Sequence, residues 1–310
     1  MAKQAVQLTK KKRTQYRFQK LKMCKKCNRY SVLADESCPT CGTEWIGVES
    51  LVKTIFKNKL FTEAIWILIF VSLGIVFAPT MKSMYYSLIA GLVFCLSYCL
   101  ITSIFMKSEY FIQLRKLLRS DFKRIKDGIG FDSNLAKADA EEGQLAPAYE
   151  KLREIGDFIE NDKVKNRSVK LLNHIILRSD MELELETLVP TSYDRDFVEY
   201  ALEAIKLNRT LMTKKSIAYF IQHRTSIVTD FGMETLISVA GTALRMKLYI
   251  IEFADFIEEF LEYFPKERLL RLCSIIHSNP EENWGSLGLK TKGLVAAKYN
   301  YDPDFKRFVS

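Results

Sequence analysis

Two apolar stretches in tandem constrain the fold of this chain more than any other feature. The first covers residues 61–80 with a single acidic residue, Glu63, near its start, and the second covers residues 86–106 without any charge. Each is about 20 residues long, the length of an α-helix that crosses the hydrocarbon core of a bilayer. One such stretch also suits a buried helix of a soluble protein. Two in tandem, separated by a short turn, favour a transmembrane helical hairpin over residues 60–106.

The distribution of charge predicts how this hairpin is oriented. Residues 1–60 contain fourteen Lys or Arg and four Asp or Glu, and residues 107–127 contain seven basic and three acidic residues. The turn between the spans contains only Lys82. Positive charge is retained on the cytoplasmic side, so we expect an integral membrane protein with two spans and both termini in the cytoplasm. A secretory signal peptide fits less well, because the first apolar stretch begins some sixty residues into the chain.

The spans contain small and weakly polar residues that would let helices approach closely. These include Gly74 in the first span and Gly91, Ser97 and Thr102 in the second. Such residues support packing within the hairpin and self-association between hairpins. No ionisable residue lies at mid-span, where transport sites usually have one, so helix packing is favoured over a pore.

Four cysteines precede the spans in two Cys-x-x-Cys pairs, Cys24 with Cys27 and Cys38 with Cys41. Each pair at a tight turn can deliver two thiolates to one metal ion, and Gly42 directly after the second pair suits such a turn. Three alternatives remain open: two disulfides in an oxidising compartment, a redox-active pair, and an iron site. A four-cysteine metal site has no open coordination position, which indicates a structural role.

Residues 22–46 resemble the zinc-ribbon family in these paired cysteines, and no other part of the chain resembles a known family. The resemblance implies a small zinc ribbon over residues 22–50. It also implies that one structural zinc ion is bound by Cys24, Cys27, Cys38 and Cys41. The gap between the pairs is short for a two-pair site, so the ribbon must be small.

Basic residues cluster next to the predicted spans, in an arm over residues 1–21, in the ribbon, and in an amphipathic helix over residues 107–127. They could attract anionic lipid. Alternatively, the basic N-terminal region could bind nucleic acid, with stacking planes supplied by Tyr16, Phe18, Tyr30 and Trp45. Basic residues lie next to the membrane on both sides of the predicted hairpin, which favours binding of anionic lipid over binding of nucleic acid. We expect the arm to be mobile when nothing is bound to it.

The rest of the chain predicts a cytoplasmic helical domain over residues 135–280. Two glycines and two aspartates in residues 127–134 predict a helix break and a domain boundary. Apolar residues at helical spacing then recur, most regularly in residues 253–264, which predict one helix ended by Pro265. We expect an all-α bundle or a solenoid-like array. Residues 281–310 lose this periodicity, and we expect a tail that either packs partly on the helical domain or remains loose. The fold class is therefore mainly α, with a small zinc ribbon at the N-terminus and a transmembrane hairpin.

No motif indicates an enzyme. The three histidines, His174, His223 and His277, lack the spacing of a metalloprotease site, and no phosphate-binding glycine loop occurs. The sequence favours a membrane-anchored adaptor or regulatory subunit with protein partners of unknown identity. The alternatives are an oligomeric pore-forming effector and a protein that tethers nucleic acid to the membrane.

Overall fold

The computed structural model describes residues 3–309, so Met1, Ala2 and Ser310, which belong to the predicted arm and tail, lie outside the described residues. The chain is mainly helical, as predicted, with a small region of strands near its N-terminus. It divides into two compact units. The first contains residues 12–138, and the second contains residues 3–11 together with residues 139–309.

The first unit begins with a small antiparallel sheet in the order β2-β1-β3. Its strands are β1 (Lys22–Cys24), β2 (Tyr30–Ser31) and β3 (Trp45–Gly47). Met23 in the central strand lies opposite Tyr30 on one side and Ile46 on the other. Leu21 and Tyr30 are fully buried beside the sheet. β3 leads directly into the first long helix, where the amide of Val48 donates a hydrogen bond of 2.9 Å to the carbonyl of Leu21.

Two long helices follow, α1 (Val48–Val76) and α2 (Met81–Ser120), and both are long and apolar enough to cross a membrane. Both extend beyond the predicted apolar spans, since α1 begins at the edge of the sheet and α2 continues past residue 106. Thr80 caps α2 by accepting a hydrogen bond from the amide of Ser83. The helices pack side by side, and a Cβ on Gly91 would lie 2.9 Å from the methyl groups of Val71.

The predicted helix break at residues 127–134 is wrong, because α3 (Phe122–Glu141) runs through this segment without interruption. Helical structure is interrupted earlier, at Asp121, which lies between α2 and α3. Gly128 is buried against β2, where an added Cβ would overlap the carbonyl oxygen of Tyr30 and lie 2.9 Å from its carbonyl carbon. Gly130 is exposed, and nothing lies within 4 Å of the position of its absent Cβ. Gly128 therefore allows α3 to pack closely against β2, whereas Gly130 has no such role.

The second unit consists of α-helices around one hydrophobic core, as the apolar periodicity predicts, and most are joined by short turns, except for the long connection of residues 174–194 between α5 and α6. Its largest fully buried side chains include Tyr149, Phe197, Tyr200, Phe220 and Phe260. The helices are α4 (Leu145–Phe158), α5 (Asp162–Asn173), α6 (Arg195–Leu207), α7 (Lys214–Gln222), α8 (Arg224–Phe231), α9 (Met233–Ala243), α10 (Lys247–Glu252), α11 (Ala254–Glu259), α12 (Lys266–Ser278), α13 (Gly285–Tyr299) and α14 (Lys306–Val309).

Two expectations for this unit are wrong. Residues 253–264 do not form one helix, because helical structure is interrupted at Phe253 and again at Phe260. Their apolar side chains are nevertheless mostly buried, so the periodicity identified core residues but not the breaks. Of the two alternatives for the tail, the loose one is wrong: the tail contains α13 and α14 and packs on the domain, with Leu287 and Phe305 fully buried in the core.

The predicted basic arm is not a free segment over residues 3–11. Gln4 pairs with the end of α5, where its amide donates to the carbonyl of His174 and its carbonyl accepts from the amide of Ile176, both at 2.8 Å. The ammonium of Lys11 lies 2.5 Å from a carboxylate oxygen of Asp157 and 2.5 Å from one of Glu184. Main-chain pairing and two partly buried ion pairs hold this part of the arm on the second unit.

Candidate metal centre

The first cysteine pair lies on the turn that joins β1 to β2. Cys24 ends β1, and its carbonyl accepts a hydrogen bond of 2.9 Å from the amide of Asn28. The amide of Cys24 donates to the carbonyl of Arg29, also at 2.9 Å. Asn28 has a φ of 54°, a left-handed conformation that asparagine adopts more readily than most residues. The turn therefore directs Cys24 and Cys27 to the same side.

The second pair repeats this geometry. The carbonyl of Cys38 accepts from the amide of Gly42 at 2.8 Å, and the amide of Cys38 donates to the carbonyl of Thr43 at 2.9 Å. Gly42 has a φ of 68°, in agreement with its prediction as a turn residue. Asn28 occupies the equivalent position in the first turn. Asn28 was not predicted from the sequence as a turn residue. The signal that could have identified it is its place directly after the second cysteine of a pair.

The two turns bring all four predicted ligands together. The Sγ atoms of Cys24 and Cys41 are 3.3 Å apart, those of Cys27 and Cys38 are 3.6 Å apart, and all four lie within 4.8 Å of one another. A disulfide bond is about 2.0 Å long, and all four cysteines are free thiols. Thiolates around a tetrahedral zinc ion, each about 2.3 Å from it, are separated by about 3.8 Å. The cluster has the size that a metal ion requires.

Burial and hydrogen bonding around the sulfur atoms also suit a metal site. Cys24 and Cys38 are buried. The hydroxyl of Thr43 lies 3.4 Å from the Sγ of Cys41, and this contact, with the amide of Thr43, lowers the pKa of Cys41 to about 6. Desolvation raises the pKa of Cys27 to about 11, and the nearby thiols of Cys24 and Cys38 add to the effect. A cation at the centre would favour the thiolate form of all four.

The cysteine module, residues 21–48, is held against α2 and α3 by three hydrogen bonds. The Tyr30 hydroxyl donates to the carboxylate of Asp121 at the junction of α2 and α3, at 2.6 Å. Asp132 in α3 is 2% exposed and accepts from the Ser31 hydroxyl at 3.0 Å and from the Val32 amide at 2.9 Å. The module is therefore covalently continuous with α1 and is hydrogen-bonded to the α2–α3 junction and to α3.

The histidines do not join this site or form another. His223 contacts the ring of Tyr219, His277 contacts the ring of Phe308, and His174 ends α5. Within residues 3–309, the four cysteines are the only group of three or more His, Cys, Asp or Glu residues with metal-site spacing. This set of four sulfur donors leaves no tetrahedral position for a substrate.

Comparison of the chain with known protein families, with curated proteins and with solved structures finds no match.

Proposed function

We propose that this protein is a membrane-anchored adaptor in which a zinc ribbon holds the cytoplasmic ends of a transmembrane helical hairpin. The observation that carries the proposal is the double attachment of the cysteine module. It continues directly into α1, and it bonds through Tyr30 to Asp121 at the α2–α3 junction and through Ser31 and Val32 to Asp132 in α3. A module attached to both helices keeps their ends at a constant separation.

Zinc is the ion that the donor set favours. Cys24, Cys27, Cys38 and Cys41 would bind it as thiolates, and the metal would supply folding free energy to a module too small for a large apolar core. Metal analysis of the purified full chain should give about one zinc ion per molecule. Cys38→Ser should lose it, whereas Cys273→Ser, in the second unit, should retain it. Iron in place of zinc, or disulfides between the pairs, would contradict this part of the proposal.

The surface of the α1–α2 pair supports insertion in a membrane. Its apolar side chains point outward, and Phe70, Phe94 and Ile104 are each more than half exposed. Apart from Lys82 at the opposite end, the charged residues lie at one end, where Lys59 forms an ion pair with Glu109 and the Tyr98 hydroxyl donates to Glu63. Exposing this much apolar surface to water would be costly, and lipid removes the cost. The chain should remain in membranes after alkaline carbonate extraction, and its release would contradict insertion.

The length of α1 sets the position of the zinc ribbon relative to lipid. Thirteen residues of α1 precede residue 61, where the apolar span begins. At 1.5 Å per residue this segment is about 20 Å long. The ribbon would therefore stand about 20 Å from the hydrocarbon core, at the base of the helices. The charge distribution assigns this base to the cytoplasm.

The adaptor role is tested by identifying what the second unit contacts in cells. Leu248 in α10 is 65% exposed. A photo-crosslinking residue at Leu248 should form one specific protein adduct, and the same probe at the exposed, charged position Lys215 serves as the control. Ion leakage on expression would instead support the pore-forming alternative. Salt-sensitive retention of DNA by the full chain, lost when the basic arm is neutralised, would support nucleic-acid tethering.

A further inference from the structure

A small basic pocket lies in the second unit between α6, α9 and α12. It has a volume of about 170 Å³, several times the roughly 30 Å³ that a water molecule occupies in the liquid. Lys206, Arg209 and Arg268 line it together with the hydroxyl residues Ser238 and Thr242, and the rest of its wall is apolar. No Asp or Glu lines it. Three cationic side chains thus share one concave surface whose lining contains no acidic residue.

These cations have no ion-pair partner within residues 3–309. The guanidinium of Arg268 uses one of its five N–H groups in a 3.2 Å hydrogen bond to the carbonyl of Ile237. Burial, and then the charge of Arg209, lower the pKa of Arg268. Lys206 and Arg209 are exposed, whereas Arg268 is partly buried and is repelled by the like charge of Arg209. An anion in the pocket would remove this repulsion.

Gly241 in α9 makes room for Arg268 to lie in this position. A Cβ at Gly241 would overlap Nη1 of Arg268 and lie 2.6 Å from its Cδ. The Arg268 side chain therefore packs across α9 at Gly241, one helical turn beyond Ile237, where the helix has no side chain. The packing of Arg268 over a glycine holds the guanidinium at the pocket without the carboxylate that usually orients a buried arginine.

We propose that the basic pocket binds a phosphate group, carried either by a soluble phosphomonoester or by a phosphorylated lipid headgroup. A phosphomonoester has a charge of about −1.5 to −2 at neutral pH and three strong acceptor oxygens. Arginine matches two of these oxygens with parallel N–H groups, and lysine adds a point charge. The volume admits the phosphate and leaves the rest of the ligand outside. This inference depends on neither the zinc ribbon nor the membrane hairpin.

Titration calorimetry on the detergent-solubilised full chain at low salt tests the proposal. The probes are inorganic phosphate, soluble inositol trisphosphate, and a short-chain phosphatidylinositol bisphosphate, with short-chain phosphatidylserine as the lipid control. At least one phosphate monoester probe should bind, and added salt should weaken the binding. If free inositol trisphosphate binds as tightly as the lipid, the natural source is soluble. Tighter binding of the lipid would assign the site to a headgroup.

Two variants remove the binding geometry in different ways. Arg268→Gln deletes a charge-assisted contact and should weaken binding at least about tenfold. Gly241→Ala keeps every charge but displaces the guanidinium, and it should weaken binding to a similar degree. The controls are Lys215→Gln, which removes an exposed charge outside the pocket lining, and Gly293→Ala, where nothing lies within 4 Å of the new Cβ. Both controls should bind as the unaltered chain does.

Thermal unfolding of each variant identifies those that fold, and affinities are compared only among them. Lys206→Gln, which changes an exposed side chain, should also weaken binding and supplies a further folded variant. The proposal is overturned if no phosphate monoester binds, or if folded Arg268→Gln and Lys206→Gln bind with unchanged affinity. Equal loss in Lys215→Gln would overturn it as well.

Discussion

Gly128 and Gly130 in α3 provide a matched pair of substitutions that tests how the cysteine module is held. Both lie in one uninterrupted helix, but only Gly128 contacts β2. Gly128→Ala would place a Cβ over the carbonyl oxygen of Tyr30, 2.9 Å from the carbonyl carbon, whereas ordinary van der Waals contacts begin near 3.4 Å. Since the overlap is with backbone, α3 and the module would have to separate by on the order of 1 Å.

The cost of this separation can be worked out from the contacts nearby. The bonds from Ser31 and Val32 to the buried Asp132 are 3.0 and 2.9 Å long, so a shift of this size would break them. Hydrogen bonds to charged groups contribute about 1.5–3 kcal/mol, and overpacking costs about 1–3 kcal/mol. Gly128→Ala should therefore lower the free energy of unfolding by about 3 kcal/mol or more. Gly130→Ala should raise it by up to about 1 kcal/mol through helix propensity.

Hydrogen exchange provides the local assay, because the Val32 amide is one of the affected donors. In the full chain, Gly128→Ala should reduce protection of the segment around Val32 by about tenfold or more, while Gly130→Ala should leave it unchanged. The reasoning is refuted if Gly128→Ala retains full protection and thermal stability. It is also refuted if both substitutions destabilise the chain equally.

Three further predictions concern other parts of the fold, each measured by unfolding of the full chain. Burial raises the pKa of Asp132 to about 6, above the value of about 4 in an unfolded chain. The free energy of unfolding that protonated Asp132 contributes is therefore lost as the pH rises from about 4 through about 6. Asp132→Asn should make the free energy of unfolding less dependent on pH over this range. Lys11→Ala should cost about 1–3 kcal/mol because two poorly exposed carboxylates lose their cation, while Lys10→Ala at the exposed neighbouring position should stay within about 0.5 kcal/mol. Phe256→Ala, at a 5% exposed position, should cost about 3–5 kcal/mol, and Leu248→Ala should cost far less. An unchanged pH slope, or equal effects of a variant and its control, would contradict the corresponding prediction.

The features that the sequence predicted correctly are those with local chemical signatures. Cys-x-x-Cys followed by a residue that tolerates positive φ determines its own turn, so Cys38 and Cys41 could be placed before any tertiary contact was known. Uninterrupted apolar composition likewise identified α1 and α2. In both cases neighbouring residues are sufficient to decide the local structure.

The failures depend on contacts between distant segments. Gly128 is compatible with a helix break or with close packing, and only the position of Tyr30 decides between them. Lys11 belongs to a basic run that suggested a mobile arm, but Asp157 and Glu184 are more than 140 residues away in sequence. The basic pocket also depends on contacts between distant segments, since Arg209 and Arg268 lie on different elements and neither is part of a motif.

The final tail shows the limit of periodicity. α13 has apolar residues on all sides, because Leu287 and Val295 are buried while Leu289 is 76% exposed. Its helix is stabilised by tertiary packing and gives no clear apolar stripe, so the sequence pattern there left open whether the segment is packed or loose.

The central claim is that the helix pair spans a membrane with the cysteine module on the cytoplasmic side. Cysteine accessibility in sealed membranes of known orientation tests it most directly. Cysteines would be introduced singly at Lys82, which is exposed in the first turn of α2, and at Asn134, which is exposed in α3. An impermeant maleimide added from the non-cytoplasmic side should label the cysteine at 82, and should label the one at 134 only after permeabilisation. Labelling at 134 in sealed membranes, or protection at 82, would contradict the account.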